Sequence, residues 1–321
     1  MILKKVPEDF KVKEIINLEK CEGKYSYYLL RKKGMNTMDA VMEVARKMGV
    51  EAKKIGYAGL KDKNAVTEQY ISVIHGKEKS FKAKYLDVEY LGKGKVAIDS
   101  TILVGNEFEI VVRGLDEVLE TPIDKFPNYF DEQRFGVDMK NHLVGKALLK
   151  KEFLEACNLM GLEATKESSV SVLQKNKRLV KLCFSAYQSY LFNLALAEYI
   201  KKNAKHIEKR YSFGNLIFPL EDVPNIRLPL LQFDTEEDIY DGIMADEGIE
   251  KRDFVVRQLP FLISTTFYRD AIASVGNFTI VSTEDDDKGK KKQLLKFTLL
   301  KGSYATMLLK FCEATKFIKE P

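Results

Sequence analysis

What most constrains this chain is the order of its hydrophobic periodicities: period two near the start, helical period through the middle, and period two again before a last helical stretch. Apolar and charged residues in alternation make a strand with one buried face, whereas apolar residues at i, i+3, i+4 and i+7 make an amphipathic helix. Phe10-Lys11-Val12-Lys13-Glu14-Ile15 alternates in this way, and Tyr25 to Leu30 continues it. Asn36 and Thr37 then offer an N-cap, Val41, Val44, Ala45 and Met48 share one face, and Gly49 stands where a helix-ending glycine belongs. Further strands are predicted at 69–74, 84–91, 95–99 and 107–113. From about 139 the texture is helical, with Ser185 and Gln188 at capping-box spacing. After a stretch bearing Pro219, Pro224 and Pro229, and an acidic cluster (Glu236, Glu237, Asp238) read as a solvated face, 278–281 and 294–300 read as strands joined by an exposed tip, EDDDKGKKKQ, and a helix follows from Ser303. Sheet, helices, sheet is economically explained if the last strands pair into the first sheet and the helical block is an insertion.

At 321 residues, 45% hydrophobic and 31% charged, the chain can bury a real core, and a disordered or fibrous protein is excluded. The net charge of +5 is unevenly spread. The first hundred residues carry +7 and the last 21 carry +2, while each of the two hundreds between them carries −2. An anionic partner would therefore meet a surface built from the two ends of the chain. Cys21, Cys157, Cys183 and Cys312 form no CxxC pair and read as reduced thiols; with His75, His142 and His206 equally scattered, no metal site is expected. No signal segment or membrane span is expected either.

Four segments mix glycine, charge and aromatics beyond what packing demands. In Gly56-Tyr57-Ala58-Gly59-Leu60-Lys61-Asp62-Lys63 two glycines precede an aspartate flanked by lysines. This arrangement suits a nucleophile or base beside phosphate-binding cations, and it also suits a solvated turn. Neither GxGxxG nor a Walker loop is present. Asn128-Tyr129-Phe130-Asp131-Glu132-Gln133-Arg134-Phe135-Gly136 interleaves rings with an amide and an arginine, as a pocket for an unstacked base would, or as a core segment would. Gly302-Ser303-Tyr304-Ala305-Thr306 is a strand-to-helix turn, and Pro7-Glu8-Asp9-Phe10 heads the first strand.

Taken together and in order, PEDF (Pro7–Phe10), GLKDKNAVTEQ (Gly59–Gln69), NYFDEQRFG (Asn128–Gly136), SAYQSYLFN (Ser185–Asn193) and KGSYAT (Lys301–Thr306) closely resemble the TruD family of tRNA pseudouridine synthases. The resemblance implies an α+β fold: a pseudouridine-synthase catalytic domain with a mixed, mainly antiparallel sheet over 1–153 and 274–321, interrupted by a mostly helical TRUD domain over 154–273. It places Asp62 at the family's catalytic aspartate. Phe10, Asn128 and Tyr304 fall at its uridine-contacting positions, and Phe130 at the neighbouring aromatic. Lys4, Lys61 and Arg134 are the nearest cations in motif terms, one of which would pair with Asp62; these three and Lys63 are the expected RNA phosphate contacts. The implied reaction isomerises uridine to pseudouridine in tRNA, at position 13 of the D-arm, with no metal or organic cofactor. The other reading is a non-catalytic RNA-binding or RNA-chaperone protein on the same fold. Departures from the family pattern fall at Asp131, where Gly is common, Leu300, where Pro is usual, and Tyr304, where Phe also occurs. The expected partner is tRNA, with no membrane and no obligate protein partner. The expected state is a monomer in the cytoplasm, or in the nucleus of a eukaryotic host.

Overall fold

The computed structural model of the protein describes residues 1–315. In chain order the elements are β1 (Phe10–Ile16), β2 (Tyr25–Lys33), α1 (Thr37–Met48), β3 (Ile55–Tyr57), β4 (Val66–Ile74), β5 (Phe81–Ala83), β6 (Leu86–Gly94) and β7 (Leu103–Leu115). There follow β8 (Lys125–Pro127), α2 (Asn141–Leu149), α3 (Phe153–Leu159), α4 (Ser169–Lys175), α5 (Lys177–Asn203), β9 (His206–Tyr211), β10 (Gly214–Pro219), β11 (Arg227–Leu230), α6 (Asp241–Glu247) and β12 (Phe267–Asp270). The chain closes with β13 (Ile272–Asp285), β14 (Lys291–Leu300) and α7 (Ala305–Thr315). They group into two compact units, 1–124 with 274–302 and 125–273 with 303–315.

The first unit is built on one mixed sheet, ordered β5-β6-β2-β4-β1-β7-β14-β13, with β3 beside β4. β1 runs parallel to β4, pairing Val12 with Thr67, and antiparallel to β7. The alternation seen in the sequence around Phe10 becomes a strand that buries Phe10, Val12 and Glu14 and exposes the lysines between them. β14 pairs antiparallel with β7 over most of its length, so the C-terminal strands do join the N-terminal sheet. α1 is capped as its sequence requires: Asn36 Oδ1 accepts from the Asp39 N–H at 2.8 Å, and Gly49 ends the helix at φ 70°, a left-handed geometry that glycine adopts without strain. Val41, Val44 and Met48 of this helix pack on Tyr28, Leu30, Ile71 and Val73 of the sheet. At the β13–β14 tip three of the four lysines are taken up by acids: Lys290 with Asp116, Lys291 with Asp285 at 2.6 Å and Lys292 with Glu284 at 3.0 Å.

In the second unit, α2 packs against the 27-residue α5, and Leu148, Leu149, Phe184, Leu191, Tyr240 and Phe254 share one core. Gly145 lets these two helices close up, since a Cβ there would sit 2.4 Å from the Cys183 carbonyl oxygen. Two local expectations fail. Ser185 caps nothing, because the apolar periodicity runs back through Val180 and Cys183 and the helix begins at Lys177; the Ser185 hydroxyl instead donates to the Leu182 carbonyl at 3.0 Å. The strand predicted at 95–99 is a loop, anchored by the Ile98 N–H on Ser72 Oγ at 2.8 Å. The region read as mainly helical also carries the β9–β10 and β11–β12 hairpins.

The compact units and the expected domains divide the chain differently. Residues 125–153, expected with the catalytic domain, belong to the second unit because Asn128 N–H donates to the Ala271 carbonyl at 2.8 Å, Asn193 of α5 bonds the Phe130 backbone, and α2 lies on α5. α7 belongs there too, through contacts with β8, β9 and β10. Residues 316–321, the end of the expected catalytic stretch, lie outside the described residues.

Candidate active site

In the first unit, the loop between β3 and β4 carries Asp62 and is held from several sides. Lys4 supplies the partner for its carboxylate: Nζ donates to Asp62 Oδ2. Lys4, one of the three cations the sequence nominated, is therefore in contact with it. Its backbone lies in the left-handed region, at φ 56°, and its ammonium also sits 4.2 Å from the Phe10 ring centroid. Asp62 is part-exposed, at 34% of its side chain, whereas Phe10 is buried, with an edge-on contact to Phe108 at 6.2 Å.

Lys61, expected to face phosphate, points inward instead. Its Nζ donates to Glu14 Oε1 at 2.5 Å, with the lysine side chain 8% and the glutamate 0% exposed, and Glu14 Oε2 accepts from the Tyr70 N–H at 2.9 Å. The Lys61 backbone N–H donates to Thr37 Oγ1 at 2.8 Å, and that hydroxyl donates to Gln69 Oε1 at 3.1 Å. Lys32, buried at the end of β2, donates to the Asp62 carbonyl at 2.9 Å, to the Lys61 carbonyl at 3.4 Å and to the Met35 carbonyl at 2.7 Å. Burial pulls its ammonium down from the ordinary lysine range to about 8, the Asp62 carboxylate opposing that fall and Lys61 adding to it. Lys63 is exposed.

The remaining expected residues lie in the second unit, where the ring of Phe130 is the centre. Phe192 meets it edge-on at 5.5 Å and Tyr304 at 6.2 Å. The Arg269 guanidinium lies 4.1 Å from its centroid and that of Arg134 lies 5.6 Å from it, both within cation–π range. Arg134 Nε donates to Ser189 Oγ at 2.9 Å, which ties the SAYQSYLFN segment to this ring. The Asn128 side chain, expected to read a base edge, is engaged within the chain: Nδ2 donates to the Asp270 carbonyl at 3.0 Å, and Oδ1 accepts from Arg269 Nη2 at 2.6 Å. Arg269 also donates to the Asn128 carbonyl from Nε at 3.0 Å and Nη2 at 2.8 Å. Burial lowers the Arg269 guanidinium to about 10 and moves the Arg134 guanidinium down as well, Tyr304 opposing both; burial raises the Tyr304 phenol, against the pull of the two arginines.

Asp131, the unusual residue of this motif, neither points outward nor stands as an extra charge. It is buried, its carboxylate accepts from Lys310 at 2.6 Å, and it caps the short turn that follows through the Glu132 N–H at 2.8 Å. Sequence reasoning missed Arg269, Glu14, Lys32 and Lys310. Arg269 lies 141 residues from the Asn128 it binds and Glu14 lies 47 from Lys61, so no local spacing marks either pair. Among the described residues no three His, Cys, Asp or Glu gather as metal ligands, and no helix is long and apolar enough to cross a membrane.

The fold is shared with a solved structure from Methanosarcina mazei, provisionally assigned to tRNA pseudouridine synthase D (TruD), at a TM-score of 0.67 and 24% identity over 98% of this chain and 93% of that one. An α+β protein of this architecture, with a carboxylate held in a loop at the edge of a strand, is the structural class. The profile of the family tRNA pseudouridine synthase D (TruD) matches residues 1–172 and 226–311. A protein named tRNA pseudouridine synthase D from Aquifex aeolicus is 30% identical over 98% of this chain and 99% of its own length. Another of that name, from Sulfurimonas denitrificans, is 36% identical over 63% of this chain and 55% of its own. The chain belongs to the TruD family, a family of pseudouridine synthases.

Proposed function

We propose that this chain converts uridine to pseudouridine in tRNA, at position 13 of the D-arm, with Asp62 as the catalytic carboxylate and no metal or organic cofactor. The observation that carries this reading is the treatment of Asp62: a carboxylate part-exposed on a loop whose side chain and backbone are each held by a separate lysine. Such restraint is what a reacting group requires, because a misplaced nucleophile or base forfeits the advantage of proximity.

The reaction is an isomerisation. The bond between ribose C1′ and uracil N1 breaks, the base turns, and C1′ joins C5; N1 gains a proton and C5 loses one. Attack on the sugar, attack on the base and removal of a sugar proton all use an ionised carboxylate, and Lys4 sets a positive charge against it. Phe10 in the first unit and Asn128, Phe130 and Tyr304 in the second are the proposed uridine contacts. The ring of Phe130 with its two guanidiniums has the aromatic and arginine composition of sites that recognise an unstacked base. Of the four cations expected to meet phosphate (Lys4, Lys61, Lys63 and Arg134), Lys63 is the exposed one and is the proposed contact. The same reading takes 1–153 and 274–321 as the catalytic domain, 154–273 as its insertion, and a cytoplasmic monomer as the working state.

The test is incubation with an unmodified tRNA transcript in the absence of metal, followed by carbodiimide-blocked primer extension. A single stop at the D-arm uridine, lost in Asp62→Asn, is expected. Binding of tRNA without any stop would replace this reading with the RNA-binding one.

A further inference from the structure

Lys32 stands out among the groups that the proposed chemistry does not use. It is 2% exposed, it lies on a strand whose neighbours at this position are Thr67 on β4 and Leu86 on β6, and neither of these titrates. An ammonium has three N–H donors, and three backbone carbonyls surround this one: Met35 at 2.7 Å, Asp62 at 2.9 Å and, more loosely, Lys61 at 3.4 Å. Met35 belongs to the turn between β2 and α1, whereas Lys61 and Asp62 belong to the loop that carries the reacting carboxylate. One buried cation therefore ties the loop to the turn. The tie is reinforced nearby: the Gly34 N–H donates to the Ala65 carbonyl at 3.3 Å, and Thr37, the first residue of α1, receives the Lys61 N–H.

We propose that Lys32 is a positioning residue for the reaction: its protonated ammonium fixes the backbone at Lys61 and Asp62, and so sets where the Asp62 carboxylate is presented. The inference rests on the reading of Asp62 as the reacting group. Deprotonation removes one of three donors and the positive charge together, so the carbonyls at positions 61 and 62 can no longer both be held alongside that of Met35. With burial placing the ammonium near 8, the loop is held firmly at neutral pH and released as pH rises past that point. The charged groups that face it are Asp62, which resists proton loss, and Lys61, which favours it.

A structural lysine and a positioning lysine differ in sign here. The proton is bound less tightly in the folded chain than in the unfolded one. From about pH 8 up to the ordinary lysine value of 10.5, this group's contribution to stability therefore rises with pH. Catalysis should fall over the same range. The experiment compares the full-length protein with Lys32→Met from pH 6.5 to 9.5, following single-turnover rate, tRNA affinity, thermal unfolding, and amide-exchange protection of residues 58–65 corrected for intrinsic exchange. At pH 7, Lys32→Met should turn over about a hundredfold more slowly, the scale of a small misplacement of reacting atoms, with tRNA affinity within threefold. Wild type should lose rate and loop protection together above pH 8 while gaining stability relative to the variant, and the variant should show no such alkaline fall.

Loop protection that is the same in both proteins and flat across pH would overturn the proposal, as would an alkaline fall that persists in the variant. A variant that does not fold leaves the wild-type profile decisive: a rate constant through pH 9 refutes the tie. A wild-type protein that makes no pseudouridine overturns the reading of the reaction instead, and the exchange data then decide the loop tie by themselves.

Discussion

The Asp62 loop and the Phe130 cluster solve the same problem, holding charge in place, by opposite means. Around the loop, three lysines meet an acid or a carbonyl: Lys4 with Asp62, Lys61 with Glu14, Lys32 with backbone oxygens. Around Phe130, two arginines lie against a ring face, and one of them grips the amide and carbonyl of Asn128. The first arrangement leaves a carboxylate part-exposed and restrained; the second leaves aromatic faces fixed by groups that cannot easily move. The proposed reacting residue and the proposed stacking residue would need these different kinds of support.

The sharpest way to break this contrast is at the proposed reacting group. Asp62→Asn keeps size and polarity, removes the charge, and is expected to abolish turnover, by at least about a thousandfold, because neither nucleophilic nor basic action survives. Affinity for tRNA should stay within a few fold. Wild-type turnover in this mutant, measured by primer extension, would remove Asp62 from the mechanism and with it the distinction between a reacting and a stacking region.

Next in size is the inward pair. Glu14→Gln leaves one acceptor oxygen where the Lys61 ammonium and the Tyr70 N–H both need one, and a buried cation loses its counter-charge. A loss of about 3 kcal/mol in unfolding free energy is expected by denaturant titration. Asp131→Gly probes the second region in the same way, but more gently. Lys310 would lose its first partner while Glu132, at 3.5 Å, remains. About 1.5 kcal/mol should go with the lost cap and ion pair. If Asp131→Gly proves the costlier of the two, the second region depends on ion pairs more than the first, and the comparison is reversed.

These expectations also mark how far the sequence could be read. Alternation around Phe10 and Val12, the cap at Asn36 and the glycine at 49 are local signals, and each became the element its residues demand. The return of the last strands to the first sheet followed from chain order and periodicity. What stayed illegible was carried by tertiary approach. Glu14 falls at period two on the face of Phe10 and Val12, but nothing local marks what neutralises it: Lys61 folds down over it from a loop 47 residues away. Asp131 looked like an excess charge beside a ring because Lys310 lies 179 residues on. The segment from Asn128 could not be assigned to its unit from sequence, since its anchors, Asn193 and Ala271, lie on α5 and just after β12.

The smallest expected effect concerns the lysines beside Asp62, which sequence treats alike and the structure does not. Lys63 is exposed, whereas Lys61 is spent on Glu14. A phosphate contact reveals itself by counterion release, so Lys63→Ala should weaken tRNA binding modestly and reduce the slope of log affinity against log salt by about one unit or less. Lys61→Met should leave that slope where it was and instead lower the unfolding midpoint, because Glu14 is then the buried charge without a partner. Titrating each variant with tRNA at several salt concentrations separates the two. A slope that shifts for Lys61→Met, or fails to shift for Lys63→Ala, would mean that the inward and outward lysines exchange roles when RNA arrives. The loop would then be rebuilt on binding, and would not share the fixed support seen around Phe130.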